Sequence, residues 1–473
     1  MLRYLSERYD CMFIYDSRTI ANNNKAEIKR GTYSLREAIC LVTGNRQLTI
    51  EAIGRYVSIR LPGKEKIIPL KEHQEAQEEG RFQIRGNLRD KETNEVISYC
   101  TVSVVNTPFS TVTNHEGNFI LTLHDSLSRS NIRLSHVAYR SLEIAAADLI
   151  GQSAILTLEP EVVMLPEVYV RDVNVKNVLQ AYFTNRTKNY AKTSVYMNTF
   201  YREGVEQEKG STELTEAMFK MYKDPYAFAN NSASHNSNPT EMVKLEKMRS
   251  IVLEAKQKFV NLKIKSGIQS LFQLDIVKYA PDFLDPRYYG KYDFAYAGTS
   301  FVDEQRLYVL SFQPSSGEKE SLYKGRLYID AESYALVMAR FEVCPGQLKE
   351  VGKMLILKND KSTNMSLKGA IYTVLYRELK GIYYLHYIRA DINFSSGKKT
   401  SFSSRNIYSW IEMVCTNIDT AEVKPFERSE RLSTRTVFSE TRHAYDISFW
   451  DNYIIIPPEE RFLGLIHSSE IVE

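Results

Sequence analysis

The sequence predicts an α+β protein that is predominantly β, with a small α/β domain, a β-sandwich and a large antiparallel β-rich domain following one another along the chain. Three observations predict this class. The chain has 473 residues, enough for about two to four domains. From residue 82 onward, apolar and polar residues alternate in short runs that end at turn residues. Tyrosine, which favours strands, occurs 31 times against 21 glycines.

Residues 1–61 have the pattern of a helix, a short strand, a second helix and a hairpin. Ser34 and Glu37 have the spacing of a capping box at the start of the second helix, and Gly44 suits its C-terminus. This order resembles the short N-terminal domain shared by secretins and TonB-dependent receptors. In that family a strand precedes the first helix, whereas here Met1 lies almost inside the helix.

The missing strand leads us to expect a truncated start, with a first strand and a signal peptide preceding Met1 in the natural chain. The alternative is a cytoplasmic protein that has neither. An open sheet edge at the N-terminus would be a liability, which favours truncation. Residues 62–81 are charged and lack apolar periodicity, so they are expected to be a linker.

Residues 82–170 are expected to form a small all-β module. Residues 112–119 have the pattern of a strand end, a polar turn with Gly117 and a new strand. In the new strand, Phe119, Leu121 and Leu123 alternate with other residues, which predicts a strand packed mainly on one face.

The module resembles the carboxypeptidase regulatory-like domain, most specifically in the turn before Phe119 and in the exit segment 165–170. The resemblance implies a β-sandwich of the kind found at the front of many outer-membrane transporters and envelope proteins of Gram-negative bacteria. It also implies no catalytic machinery, although the module accompanies carboxypeptidases. The family usually has glycine before the tyrosine of one bend, and this chain has Ala138 before Tyr139, which leaves the conformation of that bend open.

Residues 171–473 are expected to begin with a helix over about residues 173–185 and to continue as a β-meander. Phe200-Tyr201-Arg202-Glu203 is expected to end a strand, and residues 322–343 to form a long hairpin. These blocks, with Phe449-Trp450-Asp451-Asn452-Tyr453, resemble the large domain that follows a regulatory-like module in envelope proteins. The meander also resembles the half-open β-barrel of periplasmic lipoprotein carriers.

Composition excludes several classes of function. The formal net charge is +3, so no strong field indicates a nucleic-acid partner. The five cysteines are scattered, which disfavours a zinc ribbon or a disulfide framework, and Cys40 and Cys100 are expected to be small buried hydrophobes. No apolar run has the length of a membrane-spanning helix. The sequence does not predict the oligomeric state.

The known catalytic patterns are absent. A zinc carboxypeptidase needs His-x-x-Glu and a distant histidine, and only His467 and Glu470 have that spacing, with no histidine after them. Gly-x-Ser-x-Gly and phosphate-loop patterns do not occur. Asp330 and Glu332 occupy an expected turn tip, where solvation is the ordinary role. We therefore expect no catalytic residues, no metal ligands and no cofactor.

Aromatic residues of the meander offer a binding site instead. Tyr383, Tyr384, Tyr387 and Phe394 would line a groove for an apolar or lipid-like ligand, although alternating strand aromatics more often form ordinary core. The leading hypothesis is a non-catalytic envelope protein, periplasmic or outer-membrane-associated, that binds a partner protein or such a ligand. The alternatives are a component or relative of a TonB-dependent transport system and, third, a hydrolase with an unrecognised site.

Overall fold

The computed structural model describes residues 12–15, 34–43, 48–53, 56–60, 80–161, 173–207, 211–226, 240–253, 263–264, 268–358, 363–398, 404–433 and 456–459. The chain divides into two compact units. The first comprises Met1–Ala76, Arg249–Leu253 and Glu460–Glu473, and the second comprises Gln77–Met248 and Glu254–Glu459. Strands predominate and form several sheets, which confirms the predicted fold class.

Within residues 12–60, the described part of the first unit has three strands and a helix. Their bounds are β1 Met12–Tyr15, α1 Leu35–Thr43, β2 Thr49–Ile53 and β3 Tyr56–Arg60. Strand β3 is central, parallel to β1 and antiparallel to β2. The predicted capping box is confirmed, because the Ser34 amide donates to Glu37 Oε2 at 2.8 Å and the Glu37 amide donates to Ser34 Oγ at 3.2 Å. The expected first helix and Gly44 lie outside the described residues, and the resemblance to the secretin and TonB domain stays a prediction.

A β-sandwich opens the second unit. Its strands are β4 Arg81–Asp90, β5 Thr101–Val104, β6 Ser110–Val112, β7 Asn118–His124, β8 Asn131–Ser135, β9 Leu142–Ala145 and β10 Ser153–Leu158. They form a three-stranded sheet, β10-β4-β7, and a four-stranded sheet, β6-β5-β8-β9. Phe119, Leu121 and Leu123 are buried between the sheets, as predicted. The predicted turn before them is confirmed, and Gly117 has a φ of +77°, which glycine adopts without strain.

The rest of the second unit centres on one ten-stranded antiparallel sheet in the order β13-β12-β11-β22-β21-β20-β18-β17-β16-β15, with β13 belonging to this unit up to Met248. Its strands are β11 Val195–Gln207, β12 Ser211–Lys223, β13 Met242–Leu253, β15 Tyr292–Val302, β16 Gln305–Pro314, β17 Tyr323–Asp330, β18 Leu336–Val343, β20 Thr363–Leu379, β21 Ile382–Lys398 and β22 Ser404–Asp419. The short strands β14 Lys263–Ile264 and β19 Ile356–Lys358 pair with each other. Among the described strands, the large sheet is open, with β13 and β15 at its edges.

One face of the large sheet is covered by helices. They are α2 Val175–Asn189, α3 Ile268–Gln273 and the 3₁₀ turns Asp282–Leu284 and Pro286–Lys291, while α4 Leu348–Leu355 precedes β19. Tyr182 of α2 and Phe283 are fully buried in the main core, against sheet residues such as Phe312. This face of the sheet is therefore filled by the chain's own side chains.

Several local predictions for the large domain are confirmed and one is wrong. The hairpin predicted over residues 322–343 is present as β17 and β18. The helix predicted over residues 173–185 is α2, which begins at Val175 behind the N-cap Asn174. Phe200-Tyr201-Arg202-Glu203 does not end a strand, because it lies in the middle of β11, where Arg202 and Glu203 are buried.

The bend at Ala138 has an unusual backbone. Ala138 has a φ of +73°, in the left-handed region where glycine is favoured. Its amide donates to the Phe301 carbonyl at 3.0 Å, and its carbonyl accepts from the Glu161 amide at 2.8 Å. Ala138 therefore adopts a conformation that favours glycine, the residue that the family usually has at this bend. The bend also joins the sandwich to β15.

Candidate functional site

The face of the large sheet opposite the helices meets the sandwich. Val112 of the sandwich packs with Phe200, Met218 and Val414 of the sheet in a separate apolar cluster. Polar contacts flank this cluster: Ser110 Oγ donates to the Cys415 carbonyl at 3.3 Å. The two parts therefore share a buried junction.

The four predicted ligand-lining aromatics do not share one surface. Tyr383, Tyr384 and Phe394 lie in the main core, where each is at most 9% exposed. Tyr387 lies in the cluster at the junction, and its hydroxyl donates to Glu412 Oε1 at 2.6 Å. A β-bulge in the pairing of β20 with β21 lies between Tyr383 and Tyr387 and changes which face the later residues occupy. Their role in ligand binding stays a prediction.

A cavity of about 370 Å³ lies at the junction, and Tyr383 is among its lining residues. Arg133 and His136 of the sandwich line it together with Arg377 of the sheet. Part of the wall is aliphatic, and it is formed by Val105, Val137, Val302, Val337, Met338, Leu375 and Leu379. The cavity therefore has a mixed lining, because it is also lined by polar and charged residues: Thr101, Ser103, Asn106, Ser135, Asp303, Gln305, Glu378 and Lys380. We call it the junction cavity.

Arg377 is the main charged group of the junction cavity. Its guanidinium donates to the carbonyls of Thr107 at 3.0 Å and Pro108 at 3.3 Å, and both acceptors are uncharged. Among the described residues, no carboxylate forms an ion pair with it, in contrast to Arg202 and Arg389. Burial lowers the pKa of Arg377 from its usual value. A partly buried cation that forms no close ion pair can attract an anionic ligand.

The two carboxylates of the junction cavity, Asp303 and Glu378, form no close ion pair with Arg377, but their attraction raises its pKa against the larger effect of burial. Asp303 accepts a hydrogen bond from Ser141 Oγ at 2.7 Å, and Glu378 accepts from the Gly381 amide of the β20–β21 turn. Arg133, for its part, is ion-paired with Glu143. Among the described residues, Arg377 and the exposed Lys380 are the cations of the lining that form no ion pair, and Arg377 is the more buried of the two.

His136 adds a polar atom that the described chain does not satisfy. Its Nδ1 is buried and has no hydrogen-bond partner among the described residues. Burial lowers the pKa of His136 to about 4, and the Val137 backbone offsets only part of this shift. The ring is therefore neutral at pH 7 and can accept or donate one hydrogen bond.

The sandwich can be identified from its sequence and fold together. Residues 84–170 match the family model of the CarboxypepD_reg-like domain. The predicted resemblance is confirmed for this part of the chain, which we call the regulatory-like domain. No curated protein matches the chain.

Solved structures with weak similarity were also found. They include a DUF1329 family protein from Desulfovibrio piger ATCC 29098, which is 12% identical with a TM-score of 0.25, over 54% of this chain and 98% of that one. A domain named as an outer membrane lipoprotein-sorting protein, from Vibrio parahaemolyticus, is 11% identical with a TM-score of 0.24, over 53% and 95%. A LolA superfamily protein from Nitrosomonas europaea is 10% identical with a TM-score of 0.21, over 54% and 96%.

A row of four charged side chains crosses the sheet beside the regulatory-like domain, and we call it the charge row. Its members are Glu216, Arg202, Glu412 and Arg389, which face one another on β12, β11, β22 and β21. Arg202 Nε donates to Glu216 Oε1 at 2.6 Å, and Arg202 Nη1 lies 3.4 Å from Glu412 Oε2. Arg389 Nη1 lies 3.5 Å from Glu412 Oε1. The charges alternate, so each buried charge has an opposite neighbour.

A second buried ion cluster lies on the other face of the sheet. Lys223 is ion-paired with Asp275 and Glu241, and Lys278 lies 2.8 Å from Glu241. Burial alone would raise the pKa of Glu241, but the two lysines outweigh it and lower the pKa to about 2. Tyr226 and Tyr376 donate to the two oxygens of Asp275. Every charge in this cluster has a partner, so the cluster ties the 275–278 turn to the sheet.

The remaining residues singled out from the sequence, Asp330 and the cysteines, stabilise or pack within the fold. Asp330 is only 4% exposed, so the expectation of a solvated turn tip is wrong for it. Its Oδ1 accepts from the amides of Glu332 and Ser333, which stabilises the turn. Cys100 is buried as predicted, and Cys40 is half-buried. Within the described ranges no cluster of three His, Cys, Asp or Glu could hold a metal ion, and no helix is long and apolar enough to cross a membrane.

Sequence reasoning missed Arg377, His136 and Asn114, a residue of the junction described below. Each of these residues lines the cavity with, or binds, residues more than a hundred positions away in the chain. No local sequence pattern therefore identifies them. One signal was available for Asn114, because it opens the turn before Gly117, where a short polar side chain commonly bonds nearby amides.

Proposed function

We propose that this chain is a non-catalytic binding protein of the cell envelope, and that its ligand site is the junction cavity. The single observation that carries the site is Arg377, whose guanidinium donates only to backbone carbonyls among the described residues and lines a cavity that has an aliphatic wall. The proposed ligand is a small amphipathic anion, with a carboxylate or phosphate group at Arg377 and an apolar part along the aliphatic wall. The volume of about 370 Å³ lies within the range of small-molecule sites.

The match to the regulatory-like domain supports the location in the envelope, because the resemblance implies that setting. The filled core of the large sheet supports placing the ligand at the junction. Tyr182 and Phe283 occupy the helix-covered face, so an apolar ligand there would have to displace buried aromatic side chains.

The test is calorimetric titration of the full-length protein with octanoate, octyl phosphate and octanol. We expect the two anions to bind and octanol to bind far more weakly, because it offers no charge to Arg377. Replacing Arg377 by Gln should weaken octanoate binding by about ten- to a hundredfold, the equivalent of losing roughly 1.5–3 kcal/mol from a charged hydrogen bond.

Arg340→Gln is the matched control, because Arg340 is an exposed arginine on the same sheet and does not line the cavity. It should bind octanoate as the unmodified protein does. Equal binding of octanol and octanoate, or unchanged binding by the Arg377→Gln variant, would contradict the proposal.

A further inference from the structure

The four residues Ile456-Pro457-Pro458-Glu459 lie in a groove between the regulatory-like domain and the large sheet. Ile456 is fully buried, in the cluster that contains Val112, Phe200 and Tyr387. Pro458 and Glu459 are buried as well. The groove thus has an apolar pocket that holds one side chain of the segment and lies against the charge row.

Side chains of both parts bind the main chain of this segment. Asn114 Nδ2 donates to the Pro457 carbonyl at 3.0 Å. Arg202 Nη2 donates to the Ile456 carbonyl at 2.5 Å, and its Nη1 lies 3.5 Å from the Pro457 carbonyl. Proline has no amide hydrogen, so the polar main-chain groups of a Pro-Pro segment are carbonyls, and donor side chains are the groups that match them.

The acidic end of the segment meets the other arginine of the charge row. Glu459 Oε1 lies 3.8 Å from Arg389 Nη2. The groove therefore matches the segment in order. The apolar pocket holds the isoleucine, the donors Arg202 and Asn114 bind the carbonyls of Ile456 and Pro457, and the cation Arg389 lies near the glutamate. Residues before proline favour extended backbone, which gives such a peptide little freedom to lose on binding.

The donors are held in place by contacts other than those to the segment. Arg202 is fixed by Glu216 and Glu412. Asn114 Oδ1 accepts from the amides of Glu116 and Asn118, both at 2.9 Å, so its Nδ2 is aimed at the groove by its own turn. Both donors are therefore positioned by the sheet and by the turn through contacts that do not involve the segment.

We propose that this groove is a binding site for extended peptides that carry an apolar residue, two prolines and an acidic residue, and that Ile456–Glu459 is its tethered ligand. The partner is a protein that presents such a peptide, and it binds when the tethered segment leaves. The site is separate from the junction cavity, whose lining includes neither Asn114 nor Arg202. This inference therefore stands independently of the proposed anion site.

The test measures binding of a fluorescent peptide with the sequence of residues 453–462 to the full-length protein by anisotropy. An Ile456→Asp variant should release the tethered segment, because a carboxylate is excluded from the apolar pocket. We expect this variant to bind the peptide at least about tenfold more tightly than the unmodified protein, in which the tethered segment competes at high effective concentration. The same peptide with Asp in place of its Pro-preceding isoleucine should not bind.

Ile155→Asp is the control, since Ile155 is 72% exposed and lies outside the groove. It should bind the peptide as weakly as the unmodified protein. Adding Asn114→Ala to the Ile456→Asp variant should weaken peptide binding. If Ile456→Asp does not fold, as judged by circular dichroism, Ile456→Ala replaces it with the same expected direction. A folded variant that does not bind the peptide, or an unmodified protein that binds it equally well, would overturn the proposal.

Discussion

Ala138 has a left-handed backbone although it carries a Cβ atom. Its φ of +73° is retained because both of its main-chain polar groups are bonded, to Phe301 and Glu161. For an L-residue this conformation costs about 1–2 kcal/mol, which glycine avoids. The strain is therefore offset by the hydrogen bonds that join the regulatory-like domain to β15.

We expect Ala138→Gly to raise the free energy of unfolding by about 1 kcal/mol, because the gain in the folded state exceeds the added freedom of the unfolded chain. Urea denaturation measures this change. Ala145→Gly is the matched control, since Ala145 has a φ of −63° and should lose roughly 0.5–1 kcal/mol. Destabilisation by both substitutions would show that Ala138 is not strained.

His386 predicts a pH dependence of stability. Burial, with Arg377 nearby, lowers its pKa to about 3, so the folded state holds it neutral. In the unfolded chain the ring has its ordinary pKa near 6.5. The free energy of unfolding that depends on the neutral ring is therefore fully present above pH 6.5, and it is lost as the pH falls from 6.5 towards 3. This group alone should remove about 2 kcal/mol between pH 7 and pH 5.

The measurement is the free energy of unfolding at pH 7, 6 and 5 for the unmodified protein and His386→Gln. The variant starts from a lower stability but should lose about 2 kcal/mol less over this range. His115→Gln is the control, because His115 is exposed. Equal slopes for all three proteins would contradict a neutral buried His386.

At the scale of elements, the register positions of the charge row continue across the neighbouring strands of the sheet, but the charges there no longer alternate in sign. Arg389 is followed on the neighbouring strands by Thr373, Arg340 and Arg326. Arg340 and Arg326 are exposed and directly opposite each other on β18 and β17. Like charges in this arrangement destabilise a strand pair.

We expect Arg340→Glu to stabilise the protein by roughly 0.2–1 kcal/mol, because it places a carboxylate opposite Arg326. Thermal denaturation at low salt measures the effect, and high salt should reduce it. Arg340→Gln is the control, and it should give a smaller gain by removing repulsion alone. A loss of stability in Arg340→Glu that is absent in Arg340→Gln would contradict this account.

The sequence predicted individual strands better than it predicted their faces. Alternation located β17 and β18, which form the hairpin predicted over residues 322–343. It failed at Arg202, because charged residues normally face water and end a buried run, whereas here Glu216 and Glu412 on the two neighbouring strands neutralise it. It also placed Tyr383 and Tyr387 together, because a β-bulge leaves no mark in the spacing of apolar residues.

At the scale of the whole molecule, the junction could not be predicted from the sequence. Asn114 binds a carbonyl more than three hundred residues away, and Arg377 binds carbonyls of the loop after β5. Such contacts depend on how complete domains pack, and one sequence contains no periodicity that records them. The family resemblance located the regulatory-like domain, but it did not indicate which of its turns meets the sheet.

The order of strands in the large sheet has a consequence for biosynthesis. Strand β22 is the last of the ten in the chain, yet it lies between β11 and β21 and joins β13-β12-β11 to the other six strands. Until residues 404–419 have left the ribosome, these two pieces have no strand to connect them, and β11 and β21 each present an unpaired edge. The growing chain therefore exposes these two edges to aggregation until β22 emerges, and chaperone protection is expected to matter during that interval.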